Sequence, residues 1–363
     1  MILFLIALLT AGQPSIAEDA HEAVGRRFTI LPLTGFSSDD GPGFGLRTAI
    51  YVYDGLTVPY RRAYTAQAFF TTKGKWAHQF RIGFPRVSEG NRVEATFRFD
   101  KEETTSYSGD LTNAQLAAFT TDQRTYRQID PYLTLRWIRD LRVPWRVQYR
   151  LRVGITDITP NNGAVGVLEQ LAPIGFEGGS LLQASVSIRY DTRDNYINST
   201  AGRLDEVGIE WGVGSGGDLN GGELSLQHRH FRKVHDRIVL AQRFLVTYTV
   251  GDVPFYEQPK LGSSRTLRGL SADRFRDEAR VLVNTELRWM GMNVSRRYQV
   301  FGGINVFGDV GQVFSRTTWP SNRSWKAGAG VGVRLYWYST VVRMDYGQSG
   351  GDRSLYMRFA QIF

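Results

Sequence analysis

Strict alternation of apolar and polar residues, sustained over runs of about ten positions with charges in the middle, constrains this chain more than any other feature. Leu182, Ala184, Val186, Ile188 and Tyr190 alternate with Gln183, Ser185, Ser187, Arg189 and Asp191. Val93, Ala95, Phe97 and Phe99 alternate with Arg92, Glu94, Thr96, Arg98 and Asp100, and Val281, Val283, Thr285, Leu287 and Trp289 with Arg280, Asn284, Glu286 and Arg288. Successive side chains of a strand point to opposite faces, so each run is a strand with one apolar and one polar face. Strands of soluble sandwiches average about 5–6 residues. These runs instead match the roughly 9–11 residues of a tilted strand that crosses a bilayer. Mid-strand arginines and glutamates then face a lumen, and the apolar set faces lipid.

About sixteen such segments run from 27–36 to 353–363, an even number, as a single-chain bacterial barrel requires. The long links 104–124, 158–179 and 251–278 all follow odd-numbered strands, and links after even strands are mostly short. With both termini in the periplasm, the long links lie outside the cell. The last segment carries Leu355, Met357, Phe359 and Phe363 on one face and Tyr356, Arg358 and Ala360 on the other, with Gln361 interrupting the apolar set. The expected fold is an all-β, transmembrane antiparallel barrel of about sixteen strands.

The remaining features narrow the function. Ile2 to Leu9 is an apolar run too short to span a bilayer, and Ser15-Ile16-Ala17 offers a small-residue cleavage site. Residues 1–17 are therefore expected to be a signal peptide, 18–26 a short periplasmic segment and 27–363 the barrel. The chain has no cysteine and a net charge of +9. Thiol catalysis and cysteine-ligated metals are excluded, and an exported chain without a basic helix gives no reason to expect nucleic acid. No serine-hydrolase elbow, zinc-protease helix or phosphate loop is present. His228-Arg229-His230 places two imidazoles on one face without an evident acidic partner, and reads as interfacial. Asp191 and Asp194 beside Asn195 read as turn caps rather than an acid/base pair. No catalytic residue, metal or cofactor is expected.

The longest link, Gly251 to Glu278, contains Leu261-Gly262-Ser263-Ser264-Arg265-Thr266-Leu267-Arg268-Gly269-Leu270. Its glycines and arginines suggest a tight turn presenting a guanidinium, although an ordinary surface loop reads the same way. Phe307-Gly308-Asp309-Val310-Gly311 places Phe307, Asp309 and Gly311 on the inward parity of Gln299 and Asn305. An aspartate in a barrel wall calls for a cationic partner, and Gly311 leaves room for a close approach. Together these segments resemble the loop-tip and strand motifs of the BamA/TamA superfamily, the bacterial surface antigen family. Arg189-Tyr190-Asp191-Thr192-Arg193-Asp194-Asn195 with Gly202, and Gly328, Gly330, Gly332 and Arg334, resemble two more of its signatures. Leu267 and Leu270 depart from the family's usual valine and aromatic, and the substrate-capturing POTRA domains are not found. The resemblance implies that the loop folds into the lumen and that Arg268, beside Gly269, pairs with Asp309 near Phe307 and Gly311. Glu286, Arg334, Arg343 and Asp345 share the inward parity and could extend that network.

The first strand must close the barrel against the last, forming a seam of Pro32, Phe359 and Phe363. Pro32 cannot donate a ladder hydrogen bond. In the family this junction can open toward lipid, so the resemblance implies a barrel that aids insertion or translocation of proteins or lipids at the outer membrane of a Gram-negative cell. The alternative is a passive channel or a structural, surface-antigen barrel. Expected partners are outer-membrane lipids including lipopolysaccharide, the host barrel-assembly machinery, a separate periplasmic protein supplying the missing domains and, in a homo-oligomer, further copies of the chain.

Overall fold

Each alternating run forms a strand, and the strands close on themselves. The computed structural model describes residues 24–363 apart from 110, 112, 162–164, 197, 216–218, 296, 298–299, 319, 321–323, 338–339 and 360. The expected signal peptide lies outside the described residues, as does Gln299. Val24 to Arg26, expected to precede the barrel, already belong to the first strand.

The strands are β1 (Val24–Ser37), β2 (Gly41–Asp54), β3 (Arg62–Thr71), β4 (Trp76–Ser88), β5 (Asn91–Ser106), β6 (Thr125–Arg142), β7 (Trp145–Pro160), β8 (Gly178–Asp191), β9 (Gly202–Val213), β10 (Asn220–His235), β11 (Ile238–Asp252), β12 (Lys260–Leu261), β13 (Phe275–Arg276), β14 (Ala279–Ser295), β15 (Val300–Phe314), β16 (Lys326–Trp337), β17 (Thr340–Ser349) and β18 (Asp352–Phe359). All except β12 and β13 form one closed barrel in which sequence neighbours pair antiparallel, β11 passes directly to β14, and β18 returns to β1. β12 and β13 make a separate two-stranded ladder inside the long β11–β14 connection.

The pleat sorts the side chains as the alternation requires. Along β9, Val207, Ile209, Trp211 and Val213 are exposed outward, while Glu206, Gly208, Glu210 and Gly212 take the inner parity. No helix among the described residues is long and apolar enough to cross a membrane. The three longest connections, β5–β6, β7–β8 and β11–β14, lie at one end of the barrel, the loop end, and the other, the turn end, carries mostly short ones. At the loop end Tyr126, Ile158, Leu168, Phe255 and Tyr256 bury one another, with Tyr107 and Phe176 packed against them. This cluster, not a central apolar core, carries the hydrophobic packing there, because the lumen is lined by charge.

Two features depart from expectation, and both lie at the seam. Among the described residues, β1 pairs with β18 only through Phe36 with Met357 and Ser37 with Tyr356, although it pairs with β2 along its whole length. Just beyond, the Ser38 amide donates to the Leu355 carbonyl at 3.1 Å, the Leu355 amide donates to Ser38 Oγ at 2.9 Å, and Arg358 reaches Asp40 at 3.3 Å. Among the described residues the seam is therefore closed at the loop end alone. Pro32 lies in the part of β1 that has no register partner in β18. Second, the last strand does not run to Phe363. It ends at Phe359, which pairs with Val342 of β17, and the final residues turn inward. Phe363 is buried with Phe231, Ala241 and Ile362, so it belongs to the lumen and not to the outward face of Leu355 and Met357.

A register that stops at Ser37 and Met357 sets a test. Cysteines at Phe36 and Met357 are expected to form a disulfide readily. Cysteines at Thr34 and Phe359, two pairs further on were the ladder to continue, are expected to do so far more slowly, because bridging demands close Cα atoms. Equal rates for the two pairs would show a fully zipped seam.

Candidate functional site

The long connection enters the lumen because the wall beneath it is cut back to glycine. A Cβ at Gly328 would lie 2.3 Å from the Arg268 carbonyl, and one at Gly347 would lie 2.8 Å from the Gly269 amide. Gly269 itself has φ +100°, and a Cβ there would meet the Gln348 backbone at 2.5 Å. Any side chain at these positions would lift the tip off the wall. On its other side the tip is held by Leu261, Leu267, Leu270 and Leu282, with Leu245, Phe275 and Val313 against them. Gly311 belongs to this fit, since a Cβ there would crowd Leu261 at 3.2 Å.

This placement drives Arg268 into the wall with none of its surface exposed. Its Nε donates to Asp309 Oδ2 and its Nη2 to Asp309 Oδ1, both at 2.8 Å, and its backbone amide donates to Oδ2 at 3.0 Å. Nη1 donates to Glu286 and lies 3.7 Å from Asp345. The guanidinium carbon sits 3.5 Å from the centroid of the Phe307 ring. A planar fork meets one carboxylate with two parallel N–H groups, a second with its remaining nitrogen and a ring with its face; an ammonium lacks the parallel pair.

The residues of the wider network also converge. Arg334 donates to Asp345 at 2.6 Å and approaches Glu286 at 3.6 Å. Arg343 donates to Asp345 at 3.0 Å and to the Ser264 carbonyl of the loop at 2.7 Å. Three participants were not singled out from sequence, although each carries the inward parity. Asn284 accepts from Arg243 at 2.9 Å and donates to Asp309 and the Thr266 carbonyl, both at 2.7 Å. Arg243 donates to the Arg265 carbonyl at 2.7 Å. Arg288 donates to Glu286 at 2.7 Å. β14, β15, β16, β17 and the loop are thus bound together through buried charge.

The C-terminal tail joins the same site. Arg243 and Arg288 lie 5.4 and 5.2 Å from the centroid of the Phe363 ring. Gln361 is not on an apolar face: it accepts from Arg334 at 3.2 Å and donates to Asn198 at 3.2 Å. The buried shell contains Arg268, Arg288, Arg334 and Arg343 against Glu286, Asp309 and Asp345, one cation in excess before Arg243 is added. Ring faces of Phe307, Phe363 and Phe231 supply the missing negative potential, which is a physical reason for the terminal phenylalanine to leave the strand.

The turn residues have structural roles. Arg193 is paired with Asp191 at 2.9 Å. Burial raises the Asp194 carboxyl, but hydrogen bonds from the Thr200 hydroxyl and from the Thr200 and Ala201 amides outweigh it and hold the group below the usual carboxylate range. An ionised carboxylate with these contacts caps a turn. His228 does have an acidic neighbour, contrary to expectation: its Nδ1 lies 2.5 Å from Asp205, because the β9–β10 register sets the two side by side. Among the described residues no group of three metal-ligating side chains exists.

The lock and the tail give separable predictions. Arg268→Ala or Asp309→Ala is expected to lower unfolding stability by about 3–5 kcal/mol, because each strands a buried charge. Arg268→Lys is expected to recover only part of this. The gel-shift temperature of the folded barrel and protease protection of the loop measure both. Phe363→Ala is expected to cost about 3–5 kcal/mol as a buried aromatic, read on protein refolded in vitro, where cellular targeting plays no part.

A family model for the Omp85 superfamily domain matches residues 60–353. Among curated proteins none matches the sequence. Among solved structures, the barrel is similar to BamA from Haemophilus ducreyi lacking POTRA domains 1–3, with TM-score 0.66 and 14% identity over 92% of this chain and 70% of that one. It is also similar to CdiB from Escherichia coli, with TM-score 0.62 and 13% identity over 91% of this chain and 62% of that one. CdiB from Acinetobacter baumannii gives TM-score 0.58 and 11% identity over 93% and 66%. At these identities the structures speak for the fold alone, but the family match spans most of the barrel: the chain belongs to the Omp85 superfamily.

Proposed function

We propose that this barrel resides in the outer membrane of a Gram-negative cell and aids insertion or translocation of proteins or lipids by parting its seam, without cofactor or covalent chemistry. The observation that carries this reading is the β1–β18 junction, which among the described residues has ladder pairs only at its loop end, Phe36 with Met357 and Ser37 with Tyr356. Below that point the first half of β1 is exposed outward, with Phe28 at 60% and Ile30 at 55%. An incoming strand can pair with an edge whose backbone groups are unclaimed. The partners are outer-membrane lipids, lipopolysaccharide among them, and proteins in transit.

The buried loop weighs against a passive channel. Arg268 and its partners occupy the lumen near β14–β17, so steady ion flow finds this side closed. In planar bilayers the expected signal is a low, flickering conductance; a large steady conductance would favour the channel reading.

The test is depletion of the protein in its host followed by an outer-membrane proteome. Selective loss of other barrels or of surface-exported proteins is the expected result, and an unchanged proteome would sink the proposal. A chain carrying Phe36→Cys and Met357→Cys should complement the depletion when reduced and fail to when oxidised.

A further inference from the structure

His228-Arg229-His230 points to a site away from the lock. His228 and His230 face outward on β10, stacked at 6.3 Å between centroids with 13° between ring planes. Across the β9–β10 ladder Arg203 is the register partner of His230, and Asp205 that of His228. Arg203 pairs with Asp205 at 3.1 Å and keeps about half of its side chain exposed, at 52%. Its guanidinium covers the Tyr190 ring at 4.8 Å, and Tyr190 meets Trp145 at 5.0 Å. Trp137 and Tyr149 stack beside them at 5.0 Å. Arg139 and Arg232 continue the outward parity of Trp137 and His230 to the rim, and both are exposed. The patch thus sets aromatics above Arg203 and Arg232 on adjacent strands, with Arg139 farther along the same rim on β6; among the described residues of these outward faces Asp205 is the carboxylate, and it is shared by Arg203 and His228.

We propose that this patch, over β6 to β10 at the turn end, binds the phosphates of anionic phospholipids in the inner leaflet of the outer membrane. The assignment rests on the membrane reading above. Aromatic rings settle at the level of the head groups, and guanidiniums just beyond them meet phosphate there. Outward-facing strand residues present this chemistry to a lipid, whereas a protein docking from the periplasm would meet the turn tips. The barrel order places β8 and β9 halfway round from the β1–β18 seam, so bound lipid would anchor the wall that stays still while the seam parts.

The test uses the full barrel refolded into phosphatidylcholine vesicles doped with a trace of spin-labelled phosphatidylglycerol or, in parallel, spin-labelled phosphatidylcholine. Phosphatidylglycerol is expected to associate about fivefold more strongly than phosphatidylcholine. Arg139→Gln, Arg203→Gln and Arg232→Gln combined should bring the two to parity; should that variant fail to refold, Arg203→Gln and Arg232→Gln singly should each reduce the preference. Equal association in the parent, or a preference untouched by every variant, would overturn the site. Loss of the preference on adding inorganic phosphate at constant ionic strength would also overturn it, as the mark of a free-anion site. Insertion into both vesicle types tests the membrane reading separately, since it does not depend on which lipid is preferred.

Discussion

A guanidinium with no exposed surface is the constraint from which most of this structure follows. Arg268 arrives from a loop, so the loop must enter the barrel to bury it. Once there, the fork has to meet acceptors in fixed directions, and Asp309, Glu286 and Asp345 come from β15, β14 and β17 to do so. Desolvating one charge without its partners would cost several kcal/mol. The pair therefore acts less as a source of stability than as a condition on geometry: only a barrel with these strands in register, and with a tip lying flat on Gly328 and Gly347, leaves no charge unmet.

The same constraint explains the tail. The shell holds more guanidiniums than carboxylates, and Arg243 has only neutral acceptors, the Asn284 side chain and the Arg265 carbonyl. An aromatic ring offers a cation its negative face without bringing a charge that must itself be neutralised. Phe363 does this for Arg243 and Arg288 together while its own apolar surface is buried on Phe231 and Ala241. A residue there that extended the strand instead would take its ring from Arg243 and leave Arg288 that of Phe231.

The barrel was legible in the sequence because each strand states its two faces through its own alternation, and because long and short links alternate between the ends. Asp309 and Arg268 were legible as candidates, the one as an inward aspartate needing a cation, the other through the family resemblance. Arg243, Asn284 and Arg288 show why the rest was not. Parity assigns a side chain to the lumen but says nothing about what approaches it across the lumen, and their partners come from a loop and from the chain end. Phe363 misled for a related reason: its parity matches Leu355 and Met357, but alternation carries no information about where a ladder loses its neighbour. His228 and Asp205 lie in separate runs, and only the β9–β10 register joins them.

Taken together, the lock and the tail make the two sides of the seam unequal. β14 to β17 are tied through buried charge, β18 is continuous with them, and the tail beyond it reaches across to β10, β11 and β14. β1 has β2 along one edge and, on the other, β18 at its loop end only. A strain applied to this junction meets strands cross-tied by the buried lock on one side and, on the other, β1 backed by the ladders of β2 and β3, so displacement falls on the β1 side. Pro32 fits that asymmetry: it withholds one donor from a strand whose outer edge is already largely unclaimed, which lowers the cost of parting there without weakening the lock.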